Sequence, residues 1–180
     1  PSGSDTGSNL LTHQCRPIRI GAVMVRVRAF QPGDARQVEA LFSELQSHER
    51  SIEENRVDGD LIGPAYVNHL LDDCRKWDGG ILVAEYEGRV VGFICVLARF
   101  DSRDMIEADS NYAFVTDLVV TSGMRGHGVG RKLLQEAEAF SRQRGARVMR
   151  LNVVAGNTSA RDFYSKAGFR ELEIKLIKPL

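Results

Sequence analysis

Three glycines spaced by single residues, Gly126, Gly128 and Gly130, lie between Arg125 and Arg131. The run Arg125-Gly126-His127-Gly128-Val129-Gly130-Arg131 has residue types suited to capturing an anion. Glycine removes Cβ where backbone must come close to a ligand. The run follows a strand-like stretch, Val115 to Val120, and precedes Val129, Leu133, Ala137 and Phe140, which recur at helical spacing. The first N–H groups of such a helix have no intrahelical partner, and its dipole adds roughly half a positive charge there. With the arginines these features make a pyrophosphate cradle. The plainer alternative is a tight turn without a ligand. A P-loop is excluded, because no Gly-Lys-Ser/Thr follows at the required spacing. A dinucleotide fingerprint would need a third glycine at position 131, which is arginine.

The elements that must position this turn can be read along the chain. Val23, Val25 and Val27 alternate with Met24, Arg26 and Arg28, which predicts a strand over 23–30. Pro32-Gly33-Asp34 then opens a helix over 34–47, and a second helix is expected over 64–77. Asp78-Gly79-Gly80 stops it, and strands over 81–86 and 90–100 form a hairpin through Glu87-Gly88. A polar loop over 101–111 leads to a strand over 112–120. After the glycine turn, a helix is expected over 128–144, a strand over 148–154, a short helix over 158–167 and a last strand over 169–177. The order is β-α-α-β-β-β-α-β-α-β. Residues 1–22, polar over 1–15, read as a flexible leader before a single domain at 23–180.

The 180 residues, 43% hydrophobic and 27% charged, suit one soluble globular domain. No apolar run approaches the ~20 residues of a membrane span. Cys15, Cys74 and Cys95 are too scattered for a disulfide framework or a zinc site, so a reducing, cytoplasmic setting is the default and no metal is expected. Cys74 and Cys95 read as small apolar fillers. The net charge of zero gives no support for nucleic-acid binding. It hides a split, however: residues 1–120 carry 12 basic and 19 acidic side chains, and residues 121–180 carry 12 and 5. That polarity suggests an anionic ligand on the C-terminal part and a cationic one on the N-terminal part, unless surface charge has merely segregated.

The chain resembles the GNAT superfamily of N-acetyltransferases. Arg125-Gly126-His127-Gly128-Val129-Gly130 is similar to the family's Arg/Gln-x-x-Gly-x-Gly/Ala motif. The segment from Asn157 to Phe169, with Ala160, Phe163, Tyr164 and Gly168, is similar to its second signature. The resemblance covers about 155 residues and implies a mixed, mostly antiparallel sheet flanked by helices. Two of its strands, here 112–120 and 148–154, would splay apart around the pantetheine arm of acetyl-CoA.

On that resemblance, main-chain groups of Leu118, Val119 and Val120 would pair with pantetheine, and residues 125–131 would hold the diphosphate. Asn157 would bond near the coenzyme arm, cap the helix that follows, or do both. Ala160 would be small because the coenzyme packs beside it. Tyr164 would protonate the departing thiolate; otherwise it is a packing tyrosine. The amine would attack the thioester directly, with Asp117 as base or as a structural carboxylate. Many family members place Glu one position earlier, where this chain has Thr116. Glu85 is a second acidic group near the reaction. In the acidic connection 48–60, Glu49 and Glu53 would attract a cationic acceptor, or simply face solvent. The acceptor implied is a small-molecule amine. A protein N-terminus or lysine, and a non-catalytic coenzyme-A-binding module, are the alternatives, and a homodimer is a family-level expectation.

Overall fold

The computed structural model describes residues 18–20, 23–102 and 111–178. Six strands form one sheet in chain order: β1 (Ile18–Ile20), β2 (Val23–Ala29), β3 (Gly80–Tyr86), β4 (Arg89–Asp101), β5 (Asn111–Val120) and β6 (Met149–Leu151). Neighbours are antiparallel except β5 and β6, which run parallel. Helices α1 (Ala35–Arg50) and α2 (Gly59–Lys76) cover one face, and α3 (Val129–Gln143) covers the other, with α4 (Thr158–Lys166) after β6.

Both faces of the central strands are apolar, which is why 81–97 reads as a nearly continuous hydrophobic run rather than a half-buried alternation. Ile81 and Val83 pack with Val38, Phe42 and Leu70 of α1 and α2. Leu82 and Ala84 pack with Leu133, Ala137 and Phe140 of α3. The β3–β4 hairpin turns through Glu87 at φ 50° and Gly88 at φ 75°. Positive φ at both central residues is the type I′ geometry that matches strand twist. Arg28 on β2 donates to both oxygens of Asp34 (2.6 and 2.9 Å), and the Gln31 N–H donates to Asp34 at 2.8 Å. This arginine holds the Asp34 carboxyl below its ordinary range and fixes the entry to α1.

Several elements differ from expectation. Helix α2 starts at Gly59 rather than near Pro64, because the Asp58 side chain accepts the Asp60 N–H and caps it. Residues 18–20, expected in the leader, pair with β2. The strand expected over 148–154 covers only Met149–Leu151. The last expected strand, 169–177, does not form. Leu172, Ile174 and Leu176 alternate as a strand would, but they are 54–91% exposed. A period-two pattern supplies a face; it does not supply a surface to cover it. The rest of the expected leader, and most of the loop expected over 101–111, lie outside the described residues. Among the described residues, no helix is long and apolar enough to cross a membrane.

Candidate active site

Two glycines of the predicted cradle are demanded by the backbone. After β5 the chain passes a 3₁₀ turn (Ser122–Met124) and a tight turn, with Gly126 at φ 78° and Gly128 at φ 83°. That left-handed region costs an L side chain about 1–2 kcal/mol. Gly128 is the N-cap of α3, and the first helix bond is donated by Lys132 N–H to its carbonyl. The N–H groups of Val129, Gly130 and Arg131 therefore remain as the helix's orphan donors. Gly130 differs from the other two: a Cβ there would meet Phe163 and Val120 at an ordinary 3.6 Å.

Arg125 folds back over the turn at the surface. Its Nε donates to the Val120 carbonyl at 2.9 Å, and Nη2 lies 3.3 Å from Glu44 of α1. Glu44 also accepts from the Thr121 hydroxyl (2.9 Å) and the Ser122 N–H (2.8 Å), so α1 holds the start of the turn through one carboxylate. His127 Nδ1 lies 2.9 Å from the Arg125 carbonyl. The cationic side chain nearest the turn is thus partly neutralised, and main-chain donors dominate the cradle.

Beside the turn, β5 and β6 part. Their pairing spans only Ala113–Val115 with Met149–Leu151, so β5 from Thr116 onward has no strand partner on that side among the described residues. On the other side β5 bonds β4. The Thr121 N–H donates to Val91, and the Val119 carbonyl faces Gly92. Strand alternation then turns the main-chain groups of Leu118 and Val120, not Val119, toward the gap.

A bulge decides what faces the helices. Cys95 pairs with Asp117 and the next residue, Val96, pairs with Val115, leaving Thr116 as the extra residue. Before it, Ala113 and Val115 point into the α3 side; after it, Val119 points into the α1–α2 side. Asp117 is consequently directed toward α2, where the Tyr66 hydroxyl lies 3.1 and 3.0 Å from its two oxygens. The Tyr66 ring stacks on Phe42 at 3.9 Å.

The pocket in the gap is lined by Glu49, Thr116, Asp117, Leu118, Asn157, Ala160 and Tyr164, among others. Burial pushes the Asp117 carboxyl up to about 6, and hydrogen bonds from Thr116 and Tyr66 restrain the rise. Burial, reinforced by the charges of Asp117 and Glu49, pushes the Tyr164 phenol up to about 12. Asn157 accepts the Ala160 N–H at 3.1 Å, so it caps α4 while lining the pocket.

Two expected acidic contacts are elsewhere. Glu85 is bound to Arg28 at 2.8 Å, on the β2–β3 side. Glu53 sits in the exposed turn after α1. Neither lines the pocket. The thiols of Cys74 and Cys95 are free, 3.6 Å apart, with Cys95 fully buried. No cluster able to hold a metal occurs among the described residues. Tyr66 and Glu44 were not anticipated, because a helix tyrosine reads as core and a helix glutamate as surface until the sheet places them.

Residues 39–169 match the Acetyltransferase (GNAT) family. The uncharacterized N-acetyltransferase MJ1207 of Methanocaldococcus jannaschii is 29% identical over 108 residues, covering 55% of this chain and 45% of that protein. The aminoalkylphosphonate N-acetyltransferase of Salmonella typhimurium is 29% identical over 126 residues, covering 70% of this chain and 77% of that protein. The chain therefore spans less than half the length of the first of these relatives. A crystal structure of an acetyltransferase of the GNAT family from Staphylococcus aureus Mu50 shares the fold. Its TM-score is 0.65 at 20% identity, covering 83% of this chain and 86% of that one.

Proposed function

The chain belongs to the acetyltransferase (GNAT) family, and from that premise we propose that it transfers acetyl from acetyl-CoA directly to a primary amine of a small molecule. One observation carries this reading: Asp117, Glu49 and Tyr164 line a single pocket in the gap between β5 and β6, and β5 runs on into the glycine turn. The turn suits a diphosphate, since nothing lies within 4 Å of a Cβ at Gly126 and the α3 donors open beside it. Leu118 and the Val120 N–H offer main-chain groups to an extended amide chain, the Val120 carbonyl being taken by Arg125. The kinship with an enzyme named for aminoalkylphosphonate, a small amine, supports the acceptor class.

The chemistry follows from the charges. Glu49 and Asp117 attract an ammonium group into the pocket. The ammonium first gives one proton to solvent to free its lone pair; Asp117, its carboxyl near 6 and so ionised above neutral pH, accepts a second proton as the nitrogen bonds to the acyl carbon. The C–S bond then breaks, and the proton ends on the coenzyme thiolate. Tyr164, near 12, stays protonated throughout. Complete transfer from such a phenol to a thiolate whose thiol has a pKa of ~8.5 would be uphill by about 5 kcal/mol. Its role is therefore to donate a hydrogen bond to the departing sulfur.

A thiol-release screen of small amines, polyamines, aminoglycosides and peptide N-termini with acetyl-CoA tests the reading. Release with a small amine is the expected result. Release with peptides alone would move the acceptor to protein amines, and release with none would leave a binding module.

A further inference from the structure

The pocket's base has a partner that does not itself line the pocket. Tyr66 reaches from the middle of α2 to Asp117 and places its hydroxyl nearly equidistant from both carboxylate oxygens, at 3.0 and 3.1 Å. The ring is fixed by stacking on Phe42, itself 1% exposed. We propose that Tyr66 is the positioning residue of the transfer reaction: it orients Asp117 and keeps that carboxyl ionised. The inference rests on the reading of Asp117 as the base.

The need for such a residue is physical. Asp117 is 6% exposed, and a buried carboxylate without donors would take a proton rather than stay charged. The groups that face it are few. Glu49 of α1 opposes ionisation, His69 of α2 favours it, and Thr116 on β5 donates to it. The buried Cys95 of β4 and Tyr164 of α4 also interact with its charge. Tyr66 is the donor whose ring is held by stacking on Phe42. Its own phenol is pushed upward by burial and by Asp117, so it cannot lose the proton it donates. A hydroxyl shared by two oxygens also anchors the carboxylate at the edge of the pocket that Asp117 lines.

Tyr66→Phe removes the hydroxyl and keeps the ring on Phe42, so the fold is retained. The Asp117 carboxyl is followed by NMR titration of carboxyl-labelled protein, which needs no acceptor. The expected result is a midpoint raised by about one unit in Tyr66→Phe, since a hydrogen bond to a charged group commonly carries that much. With an active acceptor, the acid limb of kcat/KM moves up by the same amount while the KM for acetyl-CoA holds. In an Asp117→Asn background, Tyr66→Phe produces no further loss. An unchanged midpoint overturns the proposal, as does a Tyr66→Phe loss that multiplies with that of Asp117→Asn. Wild-type protein inert toward every amine would sink the transferase reading instead, and the titration would still decide whether Tyr66 governs Asp117.

Discussion

Arg125 places its guanidinium 3.3 Å from Glu44, across the gap between the glycine turn and α1. The side chains are 48% and 32% exposed, and such a pair contributes under about 1 kcal/mol. The first arginine of the motif is therefore a brace of the turn more than a free charge.

Coenzyme capture should depend on the main chain more than on that arginine. Arg125→Ala is expected to weaken acetyl-CoA binding by less than about tenfold, measured by calorimetry. Gly128→Glu should abolish the ligand-induced rise in Tm, which for wild type at a hundredfold excess over Kd corresponds to ~2.7 kcal/mol. Gly128→Asn, which tolerates the left-handed backbone, controls for folding. Loss of all binding in Arg125→Ala alone would overturn this view of the cradle.

Asp117 should lower stability at working pH. Its folded pKa of about 6 lies above the ordinary 3.8, so between those values the native state holds more protons than the unfolded chain. Stability then falls as pH rises through that window, by about 3 kcal/mol in all. Asp117→Asn keeps an acceptor for Tyr66 and removes the charge. At pH 7.5 its Tm should exceed wild type by several degrees, at roughly 2–4 °C per kcal/mol, and the difference should vanish below about pH 4. Turnover should fall at least about a hundredfold. Equal stability at both pH values would mean that the carboxyl is not shifted by burial.

Much of this arrangement was legible in the sequence because it depends on local spacing. The glycines at 126 and 128 announce a turn that needs positive φ, and Asn157 three residues before Ala160 announces a cap. The apolar runs of β3 and β4 announce burial on both faces. What was hidden is relational. The bulge at Thr116 exists only in the register with β4, and without it Asp117 would point toward α3 rather than Tyr66. Glu85 looked like a site residue by its strand, but its partner Arg28 is 57 residues away in sequence. Over 169–177 the alternation was real, yet a pattern cannot reveal whether a neighbour will accept it.

Tyr164 should matter for the chemical step more than for binding. It lies in α4, edge-on to Phe163 and Phe169, and opens on the pocket that holds Asp117. A phenol near 12 stays a hydrogen-bond donor through neutral pH, so its contribution should not titrate in the working range. Tyr164→Phe keeps both ring contacts and removes only the donor. Turnover is expected to fall by ten- to a hundredfold, consistent with losing one hydrogen bond to a thiolate that forms as C–S breaks. The Kd for acetyl-CoA should change less than about threefold, because the thioester sulfur is a weak acceptor before the bond breaks. Parallel kcat and calorimetric measurements separate the two effects. A variant that loses affinity while keeping its turnover would assign Tyr164 to holding the coenzyme, and the departing sulfur would need another donor.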